Sequence, residues 1–255
     1  MTSVLFYEKP VAINREQHRT AKIGTNLSFS FAAKTNSVPL TVVEFVEASK
    51  EYPIVFAAVG ERRVPVVLLG LRDNENLCVD AEGKWDARYI PAFVRRYPFV
   101  LAEKGDNEFV VCVDEASTAF NADQGQTLFD DAGDNTPFLD GAMNFLNAYQ
   151  AQYSHTENFI KQMEALDLFT QMSAKTELTD GRTFLFNGLY IIDEKKMLEL
   201  DDTQSAELLK SGQAGWIYAH LMSLSNLSRL VDRISTLTPP ATDVPTAKKK
   251  SAARV

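Results

Sequence analysis

Residues 53–101 read PIVFAAVGERRVPVVLLGLRDNENLCVDAEGKWDARYIPAFVRRYPFVL, and their reading decides the fold. Pro53 to Val59 and Val64 to Gly70 are apolar without alternation. A strand with one wet face would alternate, so these two predict paired strands covered on both sides. Gly60-Glu61 supplies a short connection between them. Pro65 lacks a backbone donor and belongs at a strand start or an edge. The next part, Gly70 to Leu101, sets Trp85, Tyr89, Phe93, Tyr97 and Phe99 between short apolar runs. Leu77 to Asp80 predicts another strand, followed by a turn at Glu82-Gly83. Pro91 to Tyr97 predicts a short helix with Pro91 near its first turn, ended by Pro98. Two adjacent arginines, Arg95 and Arg96, stand on that helix beside aromatic neighbours.

On the N-terminal side, the first twenty residues predict an extended arm, with Val4, Leu5, Phe6 and Tyr7 lying on the core. A polar cluster, Asn14-Arg15-Glu16-Gln17-His18-Arg19, follows. Leu27, Phe29 and Phe31 alternate with serines, a period of two that predicts a half-buried strand. Thr41 and Glu44 have capping-box spacing, which predicts a helix from about Thr41 to Lys50.

On the C-terminal side, Phe99 to Leu101 and Phe109 to Val113 predict strands joined by a turn at Gly105-Asp106-Asn107. The periodicity then changes to three and four. Thr136 suits an N-cap and Pro137 a first helical position, so one long helix or two nearly continuous ones are predicted from about Pro137 to Phe169, weakened only by Gly141. Burial against the strands is preferred over a dimeric coiled coil for its apolar stripe. Arg182 to Ile192 predicts a β-hairpin with a type I′ turn at Asn187-Gly188. Asp202 is placed to cap a helix that Gly212 closes. A last helix, from Trp216 to Ile234, puts His220 on an apolar face, where it reads as a hydrogen-bonded core histidine.

These elements predict an α+β fold: a mainly antiparallel sheet covered by long helices from the second half of the chain. One domain over residues 1–237 and a disordered basic tail over 238–255 are expected, with a boundary near Asp134 as the alternative. The chain has 255 residues and a net charge of −8. The tail holds Lys248-Lys249-Lys250, so the body is more acidic than the whole. An acidic body argues against nucleic acid as a partner, because phosphate neutralisation needs clustered cations. Two cysteines, Cys78 and Cys112, imply no disulfide framework and suit a reducing compartment. The N-terminus does not read as a leader, and no apolar run is long enough to insert in a membrane. A cytoplasmic location is expected.

Ordered pieces of the chain resemble a known family. They include Asn14-Arg15-Glu16 with His18-Arg19, Tyr52-Pro53-Ile54-Val55-Phe56, Tyr89-Ile90-Pro91, Arg95-Arg96-Tyr97-Pro98-Phe99 and Asn187-Gly188-Leu189. Together they are similar to the bacterial SapC family, from Phe6 to about Arg233. The resemblance implies a role associated with a surface layer, its export, or peptide transport. It carries over no catalytic residues.

No motif supplies chemistry on its own. The three histidines, His18, His155 and His220, lack metal-ligand spacing, and there is no CxxC. A nucleophile elbow and glycine-rich phosphate loops are likewise absent, so no metal and no cofactor is expected. Two clusters remain as candidate ligand-binding residues. One is Asn14, Arg15, Glu16, His18 and Arg19 on the N-terminal segment, with Arg15, Glu16 and His18 as its candidate ligand-binding residues; it alternatively reads as a surface arm with routine ion pairs. The other is Trp85, Tyr89, Arg95 and Arg96, with Glu44. Guanidinium forks suit carboxylates and flat rings supply apolar walls; alternatively, an arginine pairs with Glu44 or Asp80 and braces the core. The leading expectation is a non-enzymatic binding or accessory protein for a peptide or protein client. The alternative is an enzyme, or an enzyme's partner, using Glu16, Glu44 or His18 as acid or base. A homo-oligomeric scaffold is a third reading.

Overall fold

In a computed structural model, the structure describes residues 5–26, 28–105, 108–177 and 182–236, with the backbone alone over 173–177 and 184–187. The strands and helices in chain order are β1 (Pro10–Ala12), β2 (Lys22–Ile23), β3 (Ser37–Pro39), α1 (Phe45–Ala48), β4 (Ile54–Val59), β5 (Arg62–Leu68), α2 (Ala92–Arg95), β6 (Phe99–Gly105), β7 (Glu108–Asp114), β8 (Gln126–Thr127) and α3 (Pro137–Ala165). They continue with β9 (Phe169–Glu177), β10 (Thr183–Ile192), α4 (Glu194–Leu198), α5 (Asp202–Lys210), α6 (Gln213–Ser223) and α7 (Leu227–Ser235).

The two unalternating runs form the antiparallel pair β4–β5, in register from Ile54–Val67 to Val59–Arg62. They lie within a five-stranded antiparallel sheet of order β3-β5-β4-β10-β9. Both faces are covered, as the absence of alternation requires. Ile54 and Phe56 join a core with Phe45, Phe159, Met163 and Ile217. Val55, between them, points the other way to Leu230 and Ile234 of α7. The chain moves from one face to the other through α6, a 3₁₀ turn at Leu224–Asn226, and α7. That turn is pinned at the start of β4: Ser223 Oγ accepts the Ile54 N–H at 2.9 Å, and Asn226 donates to the carbonyls of Ser49 and Tyr52. Pro65 sits inside β5, one residue beyond the part paired with β3.

A second, three-stranded sheet has the order β1-β7-β6. The fold class is therefore α+β, with antiparallel strands divided between two main sheets and a two-stranded β2–β8 pair. Helix α3 lies against both cores. Leu139 and Leu146 pack with Phe99, Val113 and Leu128, whereas Tyr149, Phe159, Ile160 and Met163 pack under the five-stranded sheet. Its start is as expected: Thr136 Oγ1 accepts the Leu139 N–H and Pro137 is the first helical residue. It ends at Ala165, before the predicted Phe169, because Asp167 takes a positive φ of 51° and Phe169 opens β9.

Five local expectations are corrected. Phe29 and Phe31 lie in a 3₁₀ turn, Phe29–Ala32, and not in a strand. Ser28 Oγ takes the Ser30 N–H, a local bond that competes with strand pairing; Leu27 lies outside the described residues. Leu77–Asp80 is a loop with a single bridge, Val79 to Trp85, because the Asn76 side chain takes the Cys78 N–H. Asn187-Gly188 is not a hairpin turn. The chain passes through it within β10, and pairing with β9 shifts register between Phe186 and Leu189. Gly188, at φ 74°, is the glycine of a β-bulge. The single last helix is divided in two at Leu224–Asn226. The predicted cap at Asp202 moves by one residue to Asp201, whose carboxylate accepts the Gln204 N–H at 2.8 Å. Asp106 and Asn107 of the predicted turn, and the predicted tail, lie outside the described residues.

Candidate functional site

Glu44 sets the position of α2. Its Oε2 accepts from the Thr41 N–H and hydroxyl, both at 2.9 Å, as the capping spacing predicts. Its Oε1 accepts from the Tyr89 hydroxyl and from the Ala92 N–H, both at 2.7 Å. Ala92 opens α2, so a buried carboxylate joins the first helical turn of one segment to the first of another. Behind it, the Trp85 indole N–H donates to the Tyr52 hydroxyl at 2.9 Å, and that hydroxyl donates to the Tyr89 carbonyl. At the other end of α2, the Tyr97 hydroxyl donates to the buried Asp114 carboxylate. Trp85, Tyr89 and Glu44 thus form the platform on which α2 stands.

What the end of α2 presents is Arg95, its last residue, and Arg96, its C-cap. Arg95 is exposed; its Nε–H donates to the Ile90 carbonyl at 2.9 Å, and its guanidinium lies 5.2 Å from the Phe145 ring centroid. Arg96 is half-buried, 3.9 Å over Phe93, with Tyr149 at 5.3 Å and Tyr7 at 5.9 Å. Phe145 and Tyr149 are one helical turn apart on α3, so both arginines lie against the same side of that helix. Among the described residues neither guanidinium is within 4.0 Å of a carboxylate, and the Arg96 Nε is buried without an acceptor. The surrounding phenols supply no negative charge. Burial raises the pKa of Tyr7, Tyr149 and Tyr89, and pushes Tyr97 up to about 12, with Asp114 adding to the effect there. Cation–π contact over Phe93 offsets part of the desolvation cost of Arg96, by about 1–2 kcal/mol.

The two arginines line a recess of about 530 Å³ between α2, the start of β6 and the first half of α3. Ile23, Phe99, Phe138, Phe145 and Leu146 supply apolar wall. Glu44, Trp85 and Tyr89 do not line it, and neither arginine pairs with Glu44 or Asp80.

The N-terminal cluster lies elsewhere. Arg15 and Glu16 are exposed. His18 is buried, with Nδ1 accepting the Asn14 N–H at 3.0 Å and Nε2 donating to Glu115 at 3.2 Å. Glu115 also holds Lys9 at 2.7 Å, which, with the His18 contact, keeps its carboxyl below the usual range. Among the described residues no hydrogen bond joins His18 to Glu44 or either of them to Arg95 or Arg96, and neither lines the recess. Sequence reasoning missed the wall contributed by Ile23 and by α3. Its one available signal was Gly141, which lines the recess from inside a long helix.

No group of three or more His, Cys, Asp or Glu side chains able to hold a metal ion occurs among the described residues. No described helix is long and apolar enough to cross a membrane. A family model described as SapC matches residues 13–230. Comparison with curated proteins and with solved structures returned no match.

Proposed function

The chain belongs to the SapC family, and from that premise we propose that it is a binding protein, without catalysis of its own, that captures a peptide or protein client at the Arg95–Arg96 recess. The observation that carries this reading is a pair of arginines lining a largely apolar recess, with no carboxylate within 4.0 Å of either guanidinium among the described residues. Arginine presents a planar fork matched to carboxylates. A cation left without a counter-charge at the edge of an apolar recess favours an anionic guest.

The acid–base alternative needs Glu16, Glu44 or His18 in one concavity. The Glu44 oxygens accept four internal hydrogen bonds, and both His18 nitrogens are engaged. These arrangements favour positioning over proton transfer. Cys78 and Cys112 are free buried thiols, which suits work in the cytoplasm as an accessory to surface-layer export or peptide transport.

A thermal-shift screen of the full chain against short peptides and organic acids tests the reading, since a ligand that binds only the native state raises the melting temperature. Peptide acids are expected to raise it, and Arg95→Ala or Arg96→Ala to abolish the rise. A folded chain indifferent to every peptide and acid contradicts the proposal.

A further inference from the structure

Resting on the reading of the recess as the client site, we infer that the part of the client that enters is its C-terminal residue: an apolar or aromatic side chain with the free α-carboxylate on Arg95 and Arg96. The charge inventory of the wall carries this. Among the described residues, Arg95 and Arg96 are its charged residues, and no acid lines it. An ammonium group placed there has no counter-charge and meets two cations, so free amino acids and peptide N-termini are disfavoured. A C-terminal residue has its α-nitrogen tied up in an amide and brings a carboxylate alone.

The rest of the wall selects the side chain. Phe99, Phe138, Ala142, Phe145 and Leu146 form an apolar chamber, and about 530 Å³ falls within the range of small-ligand sites. Gly24 and Thr25 also line it, with the Gly24 N–H bonded to the Ala119 carbonyl at 2.8 Å. Gly141, an exposed residue, also lines the recess. That glycine lies inside the 29-residue helix α3, where glycine costs about 1 kcal/mol relative to alanine. Nothing lies within 4 Å of the Cβ a larger residue would add, so internal packing does not demand glycine there.

Isothermal titration of the full chain separates the possibilities. The probes are an N-acetylated tripeptide ending in phenylalanine, the same peptide as its C-terminal amide, free phenylalanine, and decanoate. The peptide acid is expected to bind at least about tenfold tighter than each of the other three. Arg95→Gln, an exposed change, should bring its affinity down to that of the amide. Gly141→Leu should block binding while the chain still melts cooperatively. Equal binding of acid and amide, tighter binding of free phenylalanine, or tighter binding of decanoate overturns the C-terminal assignment and leaves the recess as a site, provided Gly141→Leu abolishes binding. No binding by any probe, or binding that Gly141→Leu leaves unchanged, overturns the recess reading and the assignment with it.

Discussion

A single imidazole closes the central sheet where two of its strands part. The last paired positions of β4 and β10 are Phe56 and Tyr190. Two residues further on, His220 from α6 stands between the strands. Its Nδ1–H donates to the Ile54 carbonyl at 2.9 Å and its Nε2 accepts the Ile192 N–H at 3.1 Å. The ring replaces ladder bonds that the strands no longer make to each other. The sequence already placed His220 on an apolar helix face and indicated a bonded core histidine; the strands it joins, distant in the chain, could not be read from that face. Burial lowers its pKa from 6.5 to about 4. The unfolded chain therefore takes up this proton first as pH falls. The stabilisation is complete above about pH 6.5 and is lost towards pH 4, about 3 kcal/mol in all. Urea unfolding at about pH 7 and about pH 4.5 should show a larger loss in the native chain than in His220→Gln, which is less stable at neutral pH but has no imidazole to titrate. Equal losses in the two proteins would remove this account of the ring.

At the scale of elements, legibility followed the length of the pattern. The β4–β5 hairpin and the start of α3 were readable because many positions agree: two unalternating runs in one case, an N-cap, a proline and a long apolar stripe in the other. Short patterns misled. Phe29 and Phe31 obey a period of two, yet the serines between and before them bond locally. Asn187-Gly188 carries a strong hairpin signal, but left-handed backbone serves a bulge equally well, and the partner strand came from Phe169–Glu177 upstream. The platform under α2 was partly legible, since Trp85, Tyr89 and Glu44 were singled out, although their joining depends on contacts distant in sequence. Two glycines separate the causes. Gly188→Ala forces a side chain onto φ 74° and should destabilise the chain by about 1 kcal/mol or more. Gly141→Ala meets nothing within 4 Å and should stabilise α3 by up to about 1 kcal/mol. Denaturation midpoints moving in opposite directions meet this expectation; both falling would mean that Gly141 is held by packing.

Over the whole molecule, the recess lies where α3 crosses from one core to the other. Leu146 belongs to the core beside the three-stranded sheet, Tyr149 to the core under the five-stranded sheet, and Phe145 lies between α3 and Arg95. Glu44 holds α2 against this crossing from behind, so the arginines are fixed by the architecture of both halves. The most direct test of the central claim is a crystal structure of the chain grown with an N-acetylated peptide acid ending in phenylalanine. The account predicts the terminal carboxylate within hydrogen-bond distance of Arg95 and Arg96, with the ring against Phe138 and Phe145. A peptide bound elsewhere on the molecule, with the recess empty, would contradict it.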